Sequence, residues 1–200
     1  MVEPRLAATV VPLRDAPQGL EVLLLRRNAA LAFAGGAWVF PGGRVDPGDW
    51  PSAEPDSPAG PPRARELSAA SRAAAREARE EAGLRLVAQE LVPVSHWTTP
   101  ASSPKRFATW FFLGVAGDQR IQIDGSEIHE HRWLAPWQAV AAYHAKALLL
   151  ITPTYATLEA LQGFDRAEDA MAHYRAREPE LVPLSRSGQL PAPVGAGRTT

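Results

Sequence analysis

Residues 76–84, Arg-Glu-Ala-Arg-Glu-Glu-Ala-Gly-Leu, decide the fold of this 200-residue chain. At about 3.6 residues per helical turn, the spacing of Glu77, Glu80 and Glu81 places three carboxylates on one side of a helix. Like charges at this spacing repel each other by roughly 0.2–0.5 kcal/mol per pair. A divalent cation between them would turn that cost into a binding site, because Mg²⁺ prefers carboxylate oxygens and shares its remaining positions with water and phosphate.

A solvated charged face is the competing interpretation of the same residues. In that case Arg76 pairs with Glu80 one turn away, and Glu77 pairs with Arg72 or with Arg76. An isolated helix rich in Arg and Glu favours this plainer interpretation, so the decision depends on the segment upstream.

That segment is Phe40-Pro41-Gly42-Gly43-Arg44-Val45-Asp46-Pro47-Gly48-Asp49. Two adjacent glycines allow a tight turn and a close approach of the backbone to a ligand. A glycine turn followed by a carboxylate-bearing helix brings phosphate-facing backbone and cation ligands to one place.

Together the two segments resemble the Nudix box. Its pattern is Gly, five residues, Glu, seven residues, Arg-Glu, an apolar residue, any residue, Glu-Glu, any residue, Gly and an apolar residue. Residues 76–84 match the second half, with Ala78 at the apolar position. Gly43 opens the first half and Asp49 replaces its Glu. Between Asp49 and Arg76 stand 26 residues instead of seven, which indicates an insertion of about 19 within a Pro-rich loop.

The resemblance implies a metal-dependent hydrolase of a diphosphate linkage, using Mg²⁺ or Mn²⁺. Glu77 and Glu81 would be the principal metal ligands, and Glu80 a further ligand, direct or through water. Arg76 would orient Glu77 by a charge-assisted hydrogen bond. Carried over, the catalytic residues are Arg76, Glu77, Glu80 and a distal carboxylate.

The resemblance also suggests that a distal carboxylate outside the box, near a strand that precedes a Trp, serves as a metal ligand or base. Residues 126–134, which contain Trp133, occupy that place. Glu127 is the first choice and Glu130 the second. His129 and His131 are better interpreted as residues of an exposed face.

The residues before the box point to the substrate. Arg27, Gly36 and Phe40-Pro41-Gly42-Gly43 match the spacing of an element that precedes the box in coenzyme A diphosphatases of this family, although Ala32 replaces the second Arg of that element. Arg27, Gly42, Gly43 and Arg44 are therefore predicted to contact substrate. The match favours CoA or acyl-CoA, as does the long insertion, while ADP-ribose, NADH, dinucleotides and nucleotide sugars stay open.

Two other classes of function compete with hydrolysis. A ligand-binding or regulatory Nudix module without catalysis would predict loss of the helix carboxylates, yet all three are present. An isomerase or decapping-type use of the fold is poorly discriminated by sequence alone.

The remaining pattern predicts an α/β fold, a Nudix-type α/β/α sandwich with a mixed sheet between helices. The Pro-rich loop spans residues 47–66, a single domain spans residues 1–178, and a flexible tail covers residues 179–200. The predicted elements are the strands 6–13, 21–25, 38–40, 84–94, 108–115, 120–124 and 127–134 and the helices 67–82, 136–149, 153–161 and 167–177, with Ser68 or Ser71 capping the first helix and Gly83 ending it.

Composition narrows the environment and the partners. The chain has no cysteine, so metal ligands must be oxygen or imidazole, and disulfides are excluded. With 21 basic and 22 acidic residues, it shows no charge signature of nucleic-acid binding. No apolar run approaches the length of a membrane span. We expect a cytoplasmic enzyme with a small-molecule nucleoside diphosphate substrate and, by analogy with the family, a homodimer.

Overall fold

A computed structural model describes residues 2–30, 34–51 and 62–183. Within these ranges the chain forms eight strands and four α-helices. The strands are β1 (Arg5–Ala16), β2 (Gly19–Arg27), β3 (Trp38–Val39), β4 (Gly42–Arg44), β5 (Val92–Thr98), β6 (Phe107–Val115), β7 (Ile128–Leu134) and β8 (Glu180–Pro183). The helices are α1 (Pro62–Ala82), α2 (Pro136–His144), α3 (Thr152–Leu161) and α4 (Ala167–Arg175).

The strands form one mixed sheet in the order β3-β2-β1-β6-β5-β8, with β4 also paired to β1 and β7 to β2. The pairs β1–β6 and β5–β8 are parallel, and the other pairs are antiparallel. The predicted hairpin of the first two strands is confirmed. So is the predicted fold class, a mixed sheet between helices.

Each face of the sheet carries its own hydrophobic core, because successive side chains of a strand point to opposite faces. One core packs α1 against Ala8, Val10 and neighbouring residues of the sheet. The other core packs α2, α3 and α4 against the opposite face. Helix α1 contacts the sheet through small side chains, and its buried alanines are Ala69, Ala70, Ala73, Ala74, Ala78 and Ala82. Small side chains allow a close approach of helix and sheet.

The start of α1 differs from the prediction. The helix begins at Pro62, five residues before the predicted Leu67, and proline is well suited to a first helical turn. Ser68 and Ser71 therefore lie inside the helix and do not cap it; the Ser71 hydroxyl donates to the Ser68 carbonyl at 3.0 Å. The predicted end at Gly83 is confirmed.

Three other predicted elements differ from the structure. Residues 84–94 do not form one strand: a 3-10 turn, Ala88–Glu90, precedes β5. Residues 120–124 are not a strand, although Ile121 and Ile123 pack against the core under α1. Helix α2 ends at His144 rather than at residue 149. Two residues later, Lys146 adopts a left-handed φ of 59°, which does not continue an α-helix.

The limits of the domain also shift. Residues 47–66 are not wholly irregular, since Pro47–Asp49 forms a 3-10 turn and α1 covers residues 62–66; residues 52–61 lie outside the described ranges. Residues 180–183 form β8 and pair with β5, so the ordered sheet extends past the predicted boundary at 178. Residues 184–200 of the predicted tail lie outside the described ranges. Among the described helices, none is both long and apolar enough to cross a membrane.

Gly83 ends α1 in a left-handed conformation with a φ of 70°. Its N–H donates to the carbonyl of Arg79 at 3.0 Å, and the N–H of Leu84 reaches the carbonyl of Ala78 at 3.1 Å. A Cβ at this position would lie 3.0 Å from Cβ of Gln122. The residue thus ends the carboxylate helix and leaves room for the segment that passes beside it.

We expect Gly83→Ala to lower the free energy of unfolding by more than the roughly 1–2 kcal/mol of a left-handed alanine, because Gln122 must also shift. The matched control is Gly117→Ala, which has a φ of 59° but open space around the added Cβ. Urea denaturation of both variants measures the difference. Equal losses would show that the Gln122 contact is not important.

Candidate active site

Strand β4 brings Gly42 and Gly43 against α1. A Cβ on Gly42 would overlap the backbone of Ala8 and Thr9, and a Cβ on Gly43 would overlap the carboxylate of Glu77. Both positions therefore require glycine because the protein packs closely against itself here. The prediction of a turn at these two residues was wrong, since they lie in strand β4 and pair with β1. The strand also reaches the second carboxylate of the helix, since the Gly42 N–H donates to Glu81 Oε2 at 3.0 Å.

Glu81 is a buried carboxylate, with 6% of its surface exposed. Burial raises its pKa to about 8, because a carboxylate loses hydration when it leaves water. The hydrogen bond from Gly42 opposes this change, the negative charge of Glu77 adds to it, Arg27 opposes it and Glu127 adds to it. Glu81 therefore lies within electrostatic range of three of the predicted site residues.

Glu77 shows the same pattern more weakly. Burial raises its pKa, and the hydrogen bond and charge of Arg76 oppose the rise. The negative charges of Glu80 and Asp46 raise the pKa further. Two half-buried or buried carboxylates one turn apart thus share a region in which negative charge is poorly solvated.

Arg76 joins the two halves of the motif. Its Nε and Nη2 donate to the two oxygens of Asp49 at 3.2 and 3.0 Å, and Nη1 donates to Glu77 at 2.8 Å and Glu80 at 3.1 Å. Nη2 also donates to the carbonyl of Arg44 at 2.9 Å. The hydrogen bond to Asp49 contributes most to a raised pKa of Arg76, so the guanidinium stays charged.

Asp49 therefore contacts α1 although 26 residues separate it from Arg76. It is buried, and its Oδ2 also accepts the N–H of Asp46 at 2.8 Å, while its own N–H donates to the carbonyl of Asp46 at 3.0 Å. This reciprocal arrangement holds the short carboxylate where it makes two parallel hydrogen bonds with Arg76.

Glu80 and Arg44 lie at the margin of the site. The side chain of Glu80 is 50% exposed and contacts Arg76. The side chain of Arg44 is exposed, and only its carbonyl faces inward, toward Arg76. Glu80 is therefore accessible to an ion or a water, and Arg44 is available to solvent and ligand.

Arg27 and Glu127 face each other at the end of β2. Their closest side-chain atoms, Nη2 of Arg27 and Oε2 of Glu127, are 3.8 Å apart. Nε of Arg27 is buried and has no hydrogen-bond partner within the described part of the chain. Both residues act electrostatically on Glu81. The fold therefore brings the end of β2 and the residue before β7 into the neighbourhood of the α1 carboxylates.

Glu130, the second choice for the distal carboxylate, lies elsewhere. It pairs with Arg26 at 3.3 Å and with Arg132 at 2.6 Å. The guanidinium of Arg132 lies 4.8 Å over the ring of Trp38, which belongs to the core opposite α1. Glu130 is thus on the wrong face of the sheet. His129 and His131 are exposed.

The donor set suits a hard divalent cation, because Glu77 and Glu81 supply carboxylate oxygens beside β4 and no thiolate is available. Within the described ranges, no three or more His, Asp or Glu side chains are already gathered closely enough to hold an ion. The fit rests on Glu81, since a buried carboxylate with a raised pKa next to Glu77 is one that a cation would stabilise in its ionised form.

Two polar residues beside the site were not singled out from the sequence. Asn28 and Asp124 bind the turn that carries Glu127. The Asp124-Gly125-Ser126 sequence is a recognisable turn pattern and was the signal available. Nothing in the sequence alone showed that Asn28 reaches the same turn, because 98 positions separate it from Ser126.

A family model of the NUDIX domain matches residues 3–155. Among solved structures, a NUDIX hydrolase from Alicyclobacillus acidocaldarius is 26% identical, covers 86% of this chain and 97% of its own, and has a TM-score of 0.71. The NUDIX domain of Shewanella oneidensis NrtR, complexed with ADP-ribose, is 15% identical over 88% of this chain and 91% of its own, with a TM-score of 0.56. No curated protein matches the sequence significantly.

An Ap4A hydrolase from C. elegans, in a binary complex, is 19% identical over 84% of this chain and 98% of its own, with a TM-score of 0.51. At these identities the NrtR domain and the Ap4A hydrolase are similar to this chain in fold alone.

The raised pKa of Glu81 makes the stability of the metal-free protein depend on pH. The folded state holds the proton up to about pH 8, whereas an unfolded Glu releases it near 4.5. Wild type therefore loses stability as pH rises through this window, by a few kcal/mol at most at about 1.4 kcal/mol per pKa unit. We expect Glu81→Gln to melt at a higher temperature than wild type above pH 8 and at a similar one near pH 4.

Thermal scanning in the presence of a chelator measures this difference. Glu90→Gln, which changes an exposed carboxylate in a 3-10 turn, is the matched control and should follow wild type. Parallel pH profiles for wild type and Glu81→Gln would contradict a buried, protonated Glu81.

Proposed function

We propose that this chain, which belongs to the Nudix family of pyrophosphohydrolases, hydrolyses the diphosphate linkage of a nucleoside diphosphate derivative. In this proposal Mg²⁺ or Mn²⁺ is held by Glu77, Glu80, Glu81 and Glu127. The observation that carries it is the convergence of β4 on Glu77 and Glu81, with Arg27 and Glu127 within electrostatic range of Glu81.

The bound cation would neutralise phosphate charge and make the attacking water more acidic. The chain's own residues provide the positioning. Arg76 holds Glu77 and Glu80 in place through its fork of hydrogen bonds and is itself fixed by Asp49. The absence of side chains at Gly42 and Gly43 lets β4 pack against β1 and Glu77, so that its backbone would lie beside the bound phosphate. Glu127 is 58% exposed, so its carboxylate is accessible to take a proton from the attacking water.

Arg27 would bind a phosphate of the substrate. Its Nη2 lies 3.8 Å from Glu127, and its Nε has no hydrogen-bond partner among the described residues, so the guanidinium retains hydrogen-bonding capacity. A guanidinium suits this role because its planar donors match phosphate oxygens. Gly42 and Gly43, and the exposed Arg44 beside them, complete the set of proposed substrate contacts.

For the substrate we propose CoA or acyl-CoA. The support is the spacing of Arg27, Gly36 and residues 40–43, which match the CoA-diphosphatase element in sequence. Gly36 has a left-handed φ of 77°, which favours glycine at that position. The ADP-ribose bound by the NrtR domain and the Ap4A cleaved by the C. elegans enzyme name the competing substrates. A cytoplasmic location and a homodimer stay predictions from the sequence.

The deciding experiment incubates the protein with Mg²⁺ or Mn²⁺ and, separately, CoA, acyl-CoA, NADH, ADP-ribose, Ap4A and nucleotide sugars, then resolves the products by mass. We expect a 4′-phosphopantetheine fragment from CoA, and loss of turnover in Glu81→Gln and under chelation. Cleavage of another member alone would overturn the CoA assignment. No turnover on any member, with Glu81→Gln unchanged, would overturn hydrolysis itself.

Arg27→Ala tests the phosphate contact. A hydrogen bond to a charged group contributes about 1.5–3 kcal/mol, so we expect kcat/KM to fall by roughly 10–100-fold, mainly through KM. Arg26→Ala is the matched control, because Arg26 pairs with Glu130 away from the site. Steady-state kinetics on the best substrate of the panel compares them, and equal effects of the two substitutions would rule out a specific role of Arg27.

A further inference from the structure

The turn that carries Glu127 is organised around one carboxylate. Oδ1 of Asp124 accepts the N–H of Ile128 at 2.9 Å and of Ser126 at 3.3 Å. Its Oδ2 accepts the Ser126 hydroxyl at 2.8 Å and the N–H of Glu127 at 3.1 Å. Four hydrogen bonds from three successive residues thus end on Asp124, and they fix the backbone on both sides of Glu127.

Asn28 holds the same turn from the opposite side. Its N–H donates to the carbonyl of Glu127 at 2.7 Å, and its Nδ2 donates to the carbonyl of Ser126 at 3.1 Å. Its Oδ1 is occupied by the N–H of Ala30 at 3.0 Å, which fixes the orientation of the amide. Asn28 directly follows Arg27 in the chain. The residue that binds the Glu127 turn is therefore the neighbour of the residue proposed to bind a phosphate.

The other end of the turn is tied to α1. The N–H of Gln122, two residues before Asp124, donates to the carbonyl of Ala82 at 2.9 Å. Ala82 directly follows Glu81. Hydrogen bonds therefore join the carboxylate helix to Gln122, Asp124 to Glu127, and Glu127 to Asn28, and the chain itself connects Gln122 to Asp124.

These hydrogen bonds restrict the motion of an exposed glutamate. A free Glu side chain samples many rotamers, and its backbone would add further freedom in a loop that contains Gly125, which has a φ of 74°. Catalytic and metal-binding groups must be held to within a fraction of an ångström for effective positioning. With the backbone of Glu127 fixed on both sides, only the side-chain torsions remain to be restricted.

We propose that Asp124 and Asn28 are positioning residues, which set the carboxylate of Glu127 opposite Glu81 and Arg27. The assignment rests on the proposed function, in which Glu127 is the distal metal ligand or base. Neither residue contacts the substrate in this proposal. They act through Glu127 alone, so their effect must disappear when the carboxylate of Glu127 is removed.

A double-mutant cycle separates this role from a general structural one. The variants are Asp124→Ala, Asp124→Asn, Glu127→Gln and the double variant Asp124→Ala/Glu127→Gln, with Asp118→Ala, an exposed aspartate after β6, as control. The readouts are kcat and KM on the best substrate of the panel, Mn²⁺ affinity measured directly, and the melting temperature.

We expect Asp124→Ala to lower kcat by roughly 10–100-fold, as is typical for partners of metal ligands, with a weaker Mn²⁺ affinity and little change in KM. Asp124→Asn retains one acceptor oxygen and should lose less. The double variant should be no slower than Glu127→Gln alone, because the energies of coupled residues are not additive. Asp118→Ala should match wild type.

Two outcomes would overturn the proposal, and they are distinguishable. If Glu127→Gln is as active as wild type while Glu81→Gln is inactive, Glu127 has no role in the reaction and the positioning role falls with it. If Glu127→Gln is impaired but Asp124→Ala is not, or if the losses of the two single variants multiply in the double variant, Asp124 does not act through Glu127. Should Asp124→Ala melt below the assay temperature, the cycle is repeated with Asp124→Asn and the double variant Asp124→Asn/Glu127→Gln.

Discussion

The hydrogen bond from the Gly42 amide to the Glu81 carboxylate joins β4 to the helix, and both sides of the site depend on it. It requires a carboxylate inside the molecule, at a place where burial raises the pKa to about 8. The alanines of α1 make this possible, since only small side chains let the helix approach the sheet closely enough to bury Glu81. A larger residue at Gly42 or Gly43 would push the two apart.

Few positively charged side chains balance the carboxylates of the site. Arg76 is shared by four acidic side chains, at 2.8 to 3.7 Å, so its single positive charge cannot neutralise them all. The charge of Arg27 also acts on Glu81 and lowers its pKa. The excess negative charge is retained on the helix side that faces β4, which is the side where a cation and a phosphate would complete the balance.

The sequence predicted the helix carrying Glu77, Glu80 and Glu81, the need for glycine at residues 42 and 43, and the end of α1 at Gly83, because those features depend on local periodicity and backbone conformation. It missed what depends on distant partners. Strand β8 forms only because β5 offers it an edge. The preference for Glu127 over Glu130 came from the family resemblance. Only the register of β7 against β2 shows that Glu130 lies beside Arg26 on the other face. No local pattern carries that register.

The Arg76–Asp49 pair pins both ends of the intervening 26 residues to the same point of the molecule. Residues 62–75 of this segment belong to α1, and the packing of that helix fixes their length. Between Pro51 and Pro62 the cost of a longer chain grows only with the logarithm of its length, about 0.6 kcal/mol for each doubling, while the groups of the site keep their geometry. The same property makes this position a natural entry point for new substrate contacts during divergence, and a practical one for grafting a reporter peptide or a second domain.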